Sequence, residues 1–122
     1  MKTEIMLHCG NAPKMEKVIE LTISLAKKDI NMVKSCVRED FVWMTVGKEE
    51  AISLYDLTQV LAKRPSVTEL IVDNALSHGK SAMCEGTLSF EDGSHLYFCN
   101  VVKFVNASKD ALIKEAHTYF IK

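Results

Sequence analysis

Residues 81–104 read SAMCEGTLSFEDGSHLYFCNVVKF, and this stretch decides the fold. Two strand-like runs, Ser81–Phe90 and Ser94–Val105, meet at Glu91-Asp92-Gly93-Ser94. Asp-Gly supplies the positive φ angles of a tight turn, so the runs predict an antiparallel hairpin. A turn symmetric about Asp92-Gly93 places Glu85 opposite Asn100, Cys84 opposite Val101 and Cys99 opposite Gly86. On that register one face carries Met83, Glu85 and Thr87 against Phe98, Asn100 and Val102. The other carries Cys84, Leu88 and Phe90 against Tyr97, Cys99 and Val101, with His95 opposite Phe90. Both faces are largely apolar, which is unusual for a sheet with one side in water.

Working outward, Val67–Ser77 and Ala111–Ile121 read as two more strands, separated from the hairpin by His78-Gly79-Lys80 and by residues 106–110. Consecutive strands joined by such short breaks pair antiparallel, giving a four-strand meander. Upstream, Asn11-Ala12-Pro13 reads as a helix start with a capping side chain and a proline in the first turn. Met15, Val18, Ile19, Thr22, Leu25 and Ala26 then recur at helical spacing to about Lys28. Asp29 caps a second, short helix that turns Ile30, Val33, Cys36 and Val37 inward. Phe41–Val46 is a short strand. A third helix is expected from about Lys48 to Lys63, with Ala51, Ile52, Tyr55, Thr58 and Ala62 on one side and Pro65 ending it. Residues 1–10 fit either an added strand or a mobile tail. Helices followed by a meander make an α+β protein, three N-terminal helices packed on a curved, mainly antiparallel sheet.

A chain of 122 residues is one domain, spanning 1–122, with enough length for a single core. A formal net charge of −1 without a basic stripe argues against nucleic acid as a partner. No apolar run approaches the ~20 residues that span a bilayer, so no membrane is expected. Met1–Pro13 lacks a basic-then-apolar leader, which points to the cytoplasm. Cys9, Cys36, Cys84 and Cys99 show no Cys-x-x-Cys spacing and read as small buried hydrophobes. His8, His78, His95 and His117 show no ligand spacing, so no metal is expected. There is no nucleotide loop or nucleophile elbow, and no cofactor is expected.

The order of elements resembles the cystatin-like, cone-shaped fold of the nuclear transport factor 2-like superfamily, which includes ketosteroid isomerases and SnoaL-like polyketide cyclases. The resemblance rests on Asp29-Ile30 opening the second helix, Asp40-Phe41-Val42-Trp43 leading into the first strand, and Gly47 after it. Cys99-Asn100-Val101-Val102-Lys103-Phe104 looks like the superfamily's "x-Asp-Val-x-Arg-Phe" strand, and Tyr119-Phe120 like its terminal aromatic pair. The resemblance implies a cavity lined by Trp43, Thr45, Tyr55, Phe98, Asn100, Thr118 and Phe120. It also implies that the isomerase aspartate base falls at Thr45 and its tyrosine near Leu21, neither of which can perform that role. The second oxyanion donor falls on Asn100, whose amide donates a hydrogen bond without any raised pKa.

Glu85 and Met83 join this cavity only through the hairpin register. There Glu85, desolvated among Met83, Phe98 and Val102, would act as a base while Asn100 holds a developing oxyanion. The bland reading is a cross-strand pair that fixes register. The opposite face, with Leu88, Phe90, Tyr97, Cys99, Val101 and Tyr119, is an exposed apolar patch that suits a homodimer. Two functions therefore stand side by side. One is a small-molecule pocket, either a binder or a cofactor-free isomerase, lyase or cyclase acting on an apolar or carbonyl ligand through Glu85 and Asn100. The other is a non-catalytic dimerisation or interaction module with a closed core.

Overall fold

The computed structural model describes residues 1–7, 10, 12–48 and 50–122. The elements run β1 (Lys2–Ile5), α1 (Pro13–Lys27), α2 (Ile30–Cys36), β2 (Val37–Thr45), β3 (Ala51–Ser53), α3 (Leu57–Ala62), β4 (Val67–His78), β5 (Ser81–Phe90), β6 (His95–Phe104) and β7 (Ile113–Ile121). One sheet takes the order β1-β4-β5-β6-β7-β2-β3. β1 lies parallel to β4 and β2 parallel to β7, while the other four pairings are antiparallel. The α+β reading with a mainly antiparallel sheet holds. The three helices do precede the meander, but three strands are interleaved with them, and residues 2–5 form the added edge strand.

The expected helix over residues 48–63 is shorter. Ala51–Ser53 instead extends the sheet edge, pairing Ser53, Ile52 and Ala51 with Val42, Trp43 and Met44. The Asp56 amide then donates to the Ser53 carbonyl and the Ser53 hydroxyl to the Asp56 carboxylate, closing a turn before α3 begins at Leu57. Tyr55 falls in that turn and is 92% exposed, so it lines nothing. α2 starts as expected, with the Asp29 carboxylate accepting from the Met32 amide. The expected Asn11 cap lies outside the described residues. Ala12 occupies the N-cap position of α1 and offers no side-chain bond, with Pro13 in the first turn.

The hairpin register differs by one residue from the symmetric reading. Cys84 pairs with Asn100, Glu85 with Cys99, Gly86 with Phe98, and Ser89 with His95. The connection is a three-residue loop. The Gly93 amide donates to the Phe90 carbonyl, and the Phe90 amide donates to the Ser94 carbonyl. Gly93 takes φ +85° as the left-handed residue that follows a type I turn in such loops. Because side chains alternate across a strand, this single step exchanges the faces of β5 relative to β6.

The core lies between α1 and the inner sheet face. Val18, Leu21 and Leu25 of α1 are buried with Leu70 and Val72 of β4, Cys84 of β5, and Val102 and Phe104 of β6. Phe104 is fully buried, and Leu21, the position of the family's tyrosine, belongs to the same core. β4 carries a bulge between Val72 and Asn74, which bends the strand and tightens its twist. α1 packs on β4 and β5, and the sandwich is left open at one end.

Candidate functional site

The open end is a cavity of about 430 Å³. Its deep end is made by Thr22 of α1, Trp43 of β2, Phe98 and Asn100 of β6, and Thr118 of β7. Leu25, Leu61, Leu88, Phe90, Leu96 and Phe120 form apolar walls. Lys28, Arg64, Pro65, His95 and Lys122 stand around the mouth. The dimensions fall within the range of small-molecule sites.

The polar groups at the deep end form one chain of hydrogen bonds. The Trp43 indole Nε1 donates to Thr118 Oγ1 at 2.7 Å, and Thr118 Oγ1 donates to Asn100 Oδ1 at 2.6 Å. Asn100 Nδ2 donates to Thr22 Oγ1 at 2.7 Å, and Thr22 Oγ1 donates to the Val18 carbonyl at 2.9 Å. Cys84 Sγ lies 3.2 Å from Thr22 Oγ1. Every hydroxyl in the chain has a defined direction, so the Asn100 amide is oriented from both sides. Buried networks that are fully satisfied hold their members rigidly. Asn100 is 6% exposed, yet it lines the cavity. The amide carries two N–H donors, and among the described residues only Thr22 takes a bond from them.

Of the residues expected at the site, Trp43, Phe98, Asn100, Thr118 and Phe120 line the cavity. Thr45 is buried on the same face as Trp43 but lies outside the lining, and its hydroxyl has no hydrogen-bond partner among the described residues. Glu85 and Met83 do not belong to the site. The register puts both on the outer sheet face, where Glu85 is exposed and borders a shallow depression with Asp73, Tyr97, Cys99 and Tyr119. The buried setting expected for Glu85 is not there, and Asn100 faces Cys84 instead. Leu88 and Phe90, expected on the outer face, are walls of the cavity, and His95 stands at its mouth. Cys84 likewise moves to the inner face, in the core. Tyr97, Cys99, Val101 and Tyr119 do share the outer face, as does His117, whose Nε2 is 3.6 Å from Glu115 Oε1.

Among the lining residues that the sequence does not mark as site residues, Thr22, Lys28 and Arg64 matter most for the site's chemistry. Thr22 was read only as part of the α1 stripe, although a hydroxyl amid apolar neighbours signals a buried acceptor. Lys28 and Arg64 look in the sequence like charges at helix ends. Arg64 instead lays its guanidinium over the Trp43 ring, 4.7 Å from the centroid, and 6.0 Å from that of Phe120. Burial holds the Arg64 pKa below its usual value, with a smaller opposing pull from Glu50. Among the described residues, neither Cys36 nor Cys99 is an activated nucleophile. Burial pushes the Cys36 and Cys99 thiols above their usual range, and the Glu85 charge adds to this at Cys99.

No protein-family model and no curated protein matches the chain. Solved structures do. An NTF2-like protein of unknown function from Burkholderia xenovorans LB400 superposes with TM-score 0.74 at 16% identity, over 93% of this chain and 86% of that one. A structure described as a SnoaL-like polyketide cyclase from Shewanella denitrificans OS-217 gives TM-score 0.71 at 11% identity, over 92% of each chain. A LEH-like epoxide hydrolase from Mycobacterium tuberculosis gives 0.69 at 18% identity, over 89% of this chain and 79% of that one. Such identities speak to architecture, and the cone fold implied by the sequence resemblance is the one found. The chain has the NTF2-like fold.

Proposed function

We propose that this protein binds a small, mostly apolar molecule in the cone, with the second N–H of Asn100 donating to a ligand oxygen at the deep end. The observation that carries this reading is the cavity of about 430 Å³ that reaches the Trp43–Thr118–Asn100–Thr22 network. A module with a closed core would fill that space with side chains. Solved structures with this fold include proteins described as an epoxide hydrolase and a SnoaL-like polyketide cyclase, and a ligand cavity is in keeping with them. Among the described residues the lining holds no carboxylate, so the deep end offers an oxygen-binding donor without the general base once assigned to Glu85. Binding, with Asn100 as the polar anchor, is the function this arrangement supports best.

Trp43 is the only tryptophan, so its emission reports on the cavity directly. Titration with 2-octanone is expected to change that emission saturably, and Asn100→Leu to weaken binding about fivefold, the worth of one ordinary hydrogen bond. A change that stays linear in ketone concentration would count against the pocket. Equal affinity in the variant would remove Asn100 from its role.

For the outer face we propose an isologous homodimer. Tyr97, Tyr119 and Ile121 are 58%, 45% and 67% exposed on the neighbouring strands β6 and β7, a patch that water covers poorly. Light scattering at high micromolar concentration should give a dimeric mass, and the double variant Tyr97→Lys, Tyr119→Lys a monomeric one. A monomeric wild-type protein at that concentration would end the idea. No helix among the described residues is long and apolar enough to cross a membrane.

A further inference from the structure

The charges around the cavity are of one sign. Lys28, Arg64 and Lys122 line it at the mouth, and among the described residues no aspartate or glutamate does, although the whole chain carries a formal net charge of −1. Arg64 is the informative one. Its guanidinium has five N–H donors, and among the described residues none of them finds a hydrogen-bond acceptor or an ion-pair partner. It is half-buried against two aromatic rings. A cation taken partly out of water costs free energy unless an anion meets it, and Glu50, which forms no ion pair with Arg64, offsets only part of the burial that lowers its pKa.

The backbone holds this guanidinium in place. The Arg64 amide donates to the Leu61 carbonyl at 3.1 Å, and its own carbonyl accepts from Lys28 Nζ at 2.6 Å. Pro65 follows directly and restricts the Arg64 backbone. Lys28 occupies the C-cap of α1 at φ 60°, a left-handed position where glycine is the usual residue. From there its side chain reaches across to the Arg64 carbonyl, tying the end of α1 to the residue after the α3 C-cap.

Resting on the cavity reading above, we infer that the ligand is an amphipathic monoanion: an alkyl or aryl body in the apolar cone and a carboxylate at the mouth, taken by the planar fork of Arg64. The fork matches a carboxylate in bidentate geometry, while Trp43 and Phe120 behind it fix its plane. Lys28 acts as a positioning residue, holding the Arg64 backbone while adding positive potential at the rim.

Three probes of matched chain length separate the claims: octanoate, 1-octanol and octylammonium, each titrated against Trp43 emission in the full chain at neutral pH. Octanoate is expected to bind about tenfold or more tightly than 1-octanol, the ratio a charge-assisted hydrogen bond supplies, with octylammonium weakest. Arg64→Gln should bring the affinities for octanoate and 1-octanol together. Octanoate affinity should also fall with added salt, and that of 1-octanol should not. Equal affinity of octanoate and 1-octanol for the wild type would overturn the anionic assignment and leave the cavity reading intact. So would a preference for octanoate that survives Arg64→Gln. If none of the three probes binds, both readings fall. The wild-type comparison decides the matter even if the Arg64 variant does not fold.

Discussion

Gly86→Ala is expected to cost on the order of 3 kcal/mol or more of stability. Gly86 sits in the middle of β5, paired with Val72 on one side and Phe98 on the other. A Cβ there would lie 1.8 Å from the Ile71 carbonyl oxygen, 2.8 Å from its carbonyl carbon and 3.0 Å from Val72 Cα. All three are backbone atoms, so no rotamer change relieves the contact. Glycine is needed because the β4 bulge between Val72 and Asn74 swings the neighbouring backbone over β5 at this point. Making room means straightening β4, and with it displacing Leu70 and Val72, both fully buried under α1. Against a total stability of roughly 5–15 kcal/mol, such a loss leaves little margin. A thermal melt by circular dichroism should drop by about 10 °C or more. A midpoint within about 2 °C of wild type would show that β4 bends for some other reason.

Gly86 also bears on how much of the fold could be read from the sequence. The strand bounds Ser81–Phe90 were legible because Gly79 and Asp92-Gly93 punctuate an alternating run. The register was not, because Asp-Gly fits a two-residue turn and a three-residue loop with glycine last equally well. The chain did hold a tie-breaker. On β5 the residues Ala82, Cys84, Gly86, Leu88 and Phe90 are the less polar set, and on β6 they are Leu96, Phe98, Asn100, Val102 and Phe104. Only the observed register puts these two sets on one face, where α1 and the cavity need them. Asn100, the one polar member, was correctly placed inward from its strand motif. Its partner was missed because Thr22 lies 78 positions away on another element, and no local pattern couples them. Arg64 was hidden for a similar reason. A cation before Pro65 looks like a helix-end charge until the fold brings Trp43 beneath it. β3 escaped detection because Ala51–Ser53 has too few residues to show alternation, and its strand character comes from the exposed edge of β2.

Asn100→Asp is expected to fold as the wild type does in mild acid and to lose stability progressively as pH rises, by about 3 kcal/mol at neutrality. The substitution exchanges an amide NH₂ for oxygen with almost no change in shape, so the cost is entirely one of bonding and charge. In its neutral form the introduced carboxyl reproduces the network. One oxygen accepts from Thr118 Oγ1, and the O–H donates to Thr22 Oγ1 where Nδ2 does now. Ionised, it has no proton to give. Thr22 could donate to it only by giving up its own bond to the Val18 carbonyl. The charge would also sit at a position that is 6% exposed, with Arg64 at the cavity mouth giving only partial compensation. Both effects favour the protonated form, raising the folded-state pKa above the unfolded value of about 3.9. The sign follows from linkage. A group whose folded pKa is raised contributes fully below its unfolded pKa, and that contribution is lost as pH climbs through the folded pKa. Between those two values the variant should therefore fall behind wild type by about 1.4 kcal/mol per pH unit, then level off. Urea unfolding of both proteins at intervals from about pH 4 to about pH 8 measures the difference directly and cancels titrations common to the two. A gap that is the same at both ends would mean that geometry, not charge, is at fault. No gap at all near pH 8 would mean that Asn100 is wetter than its network allows, and the anchor role proposed for its amide would go with it.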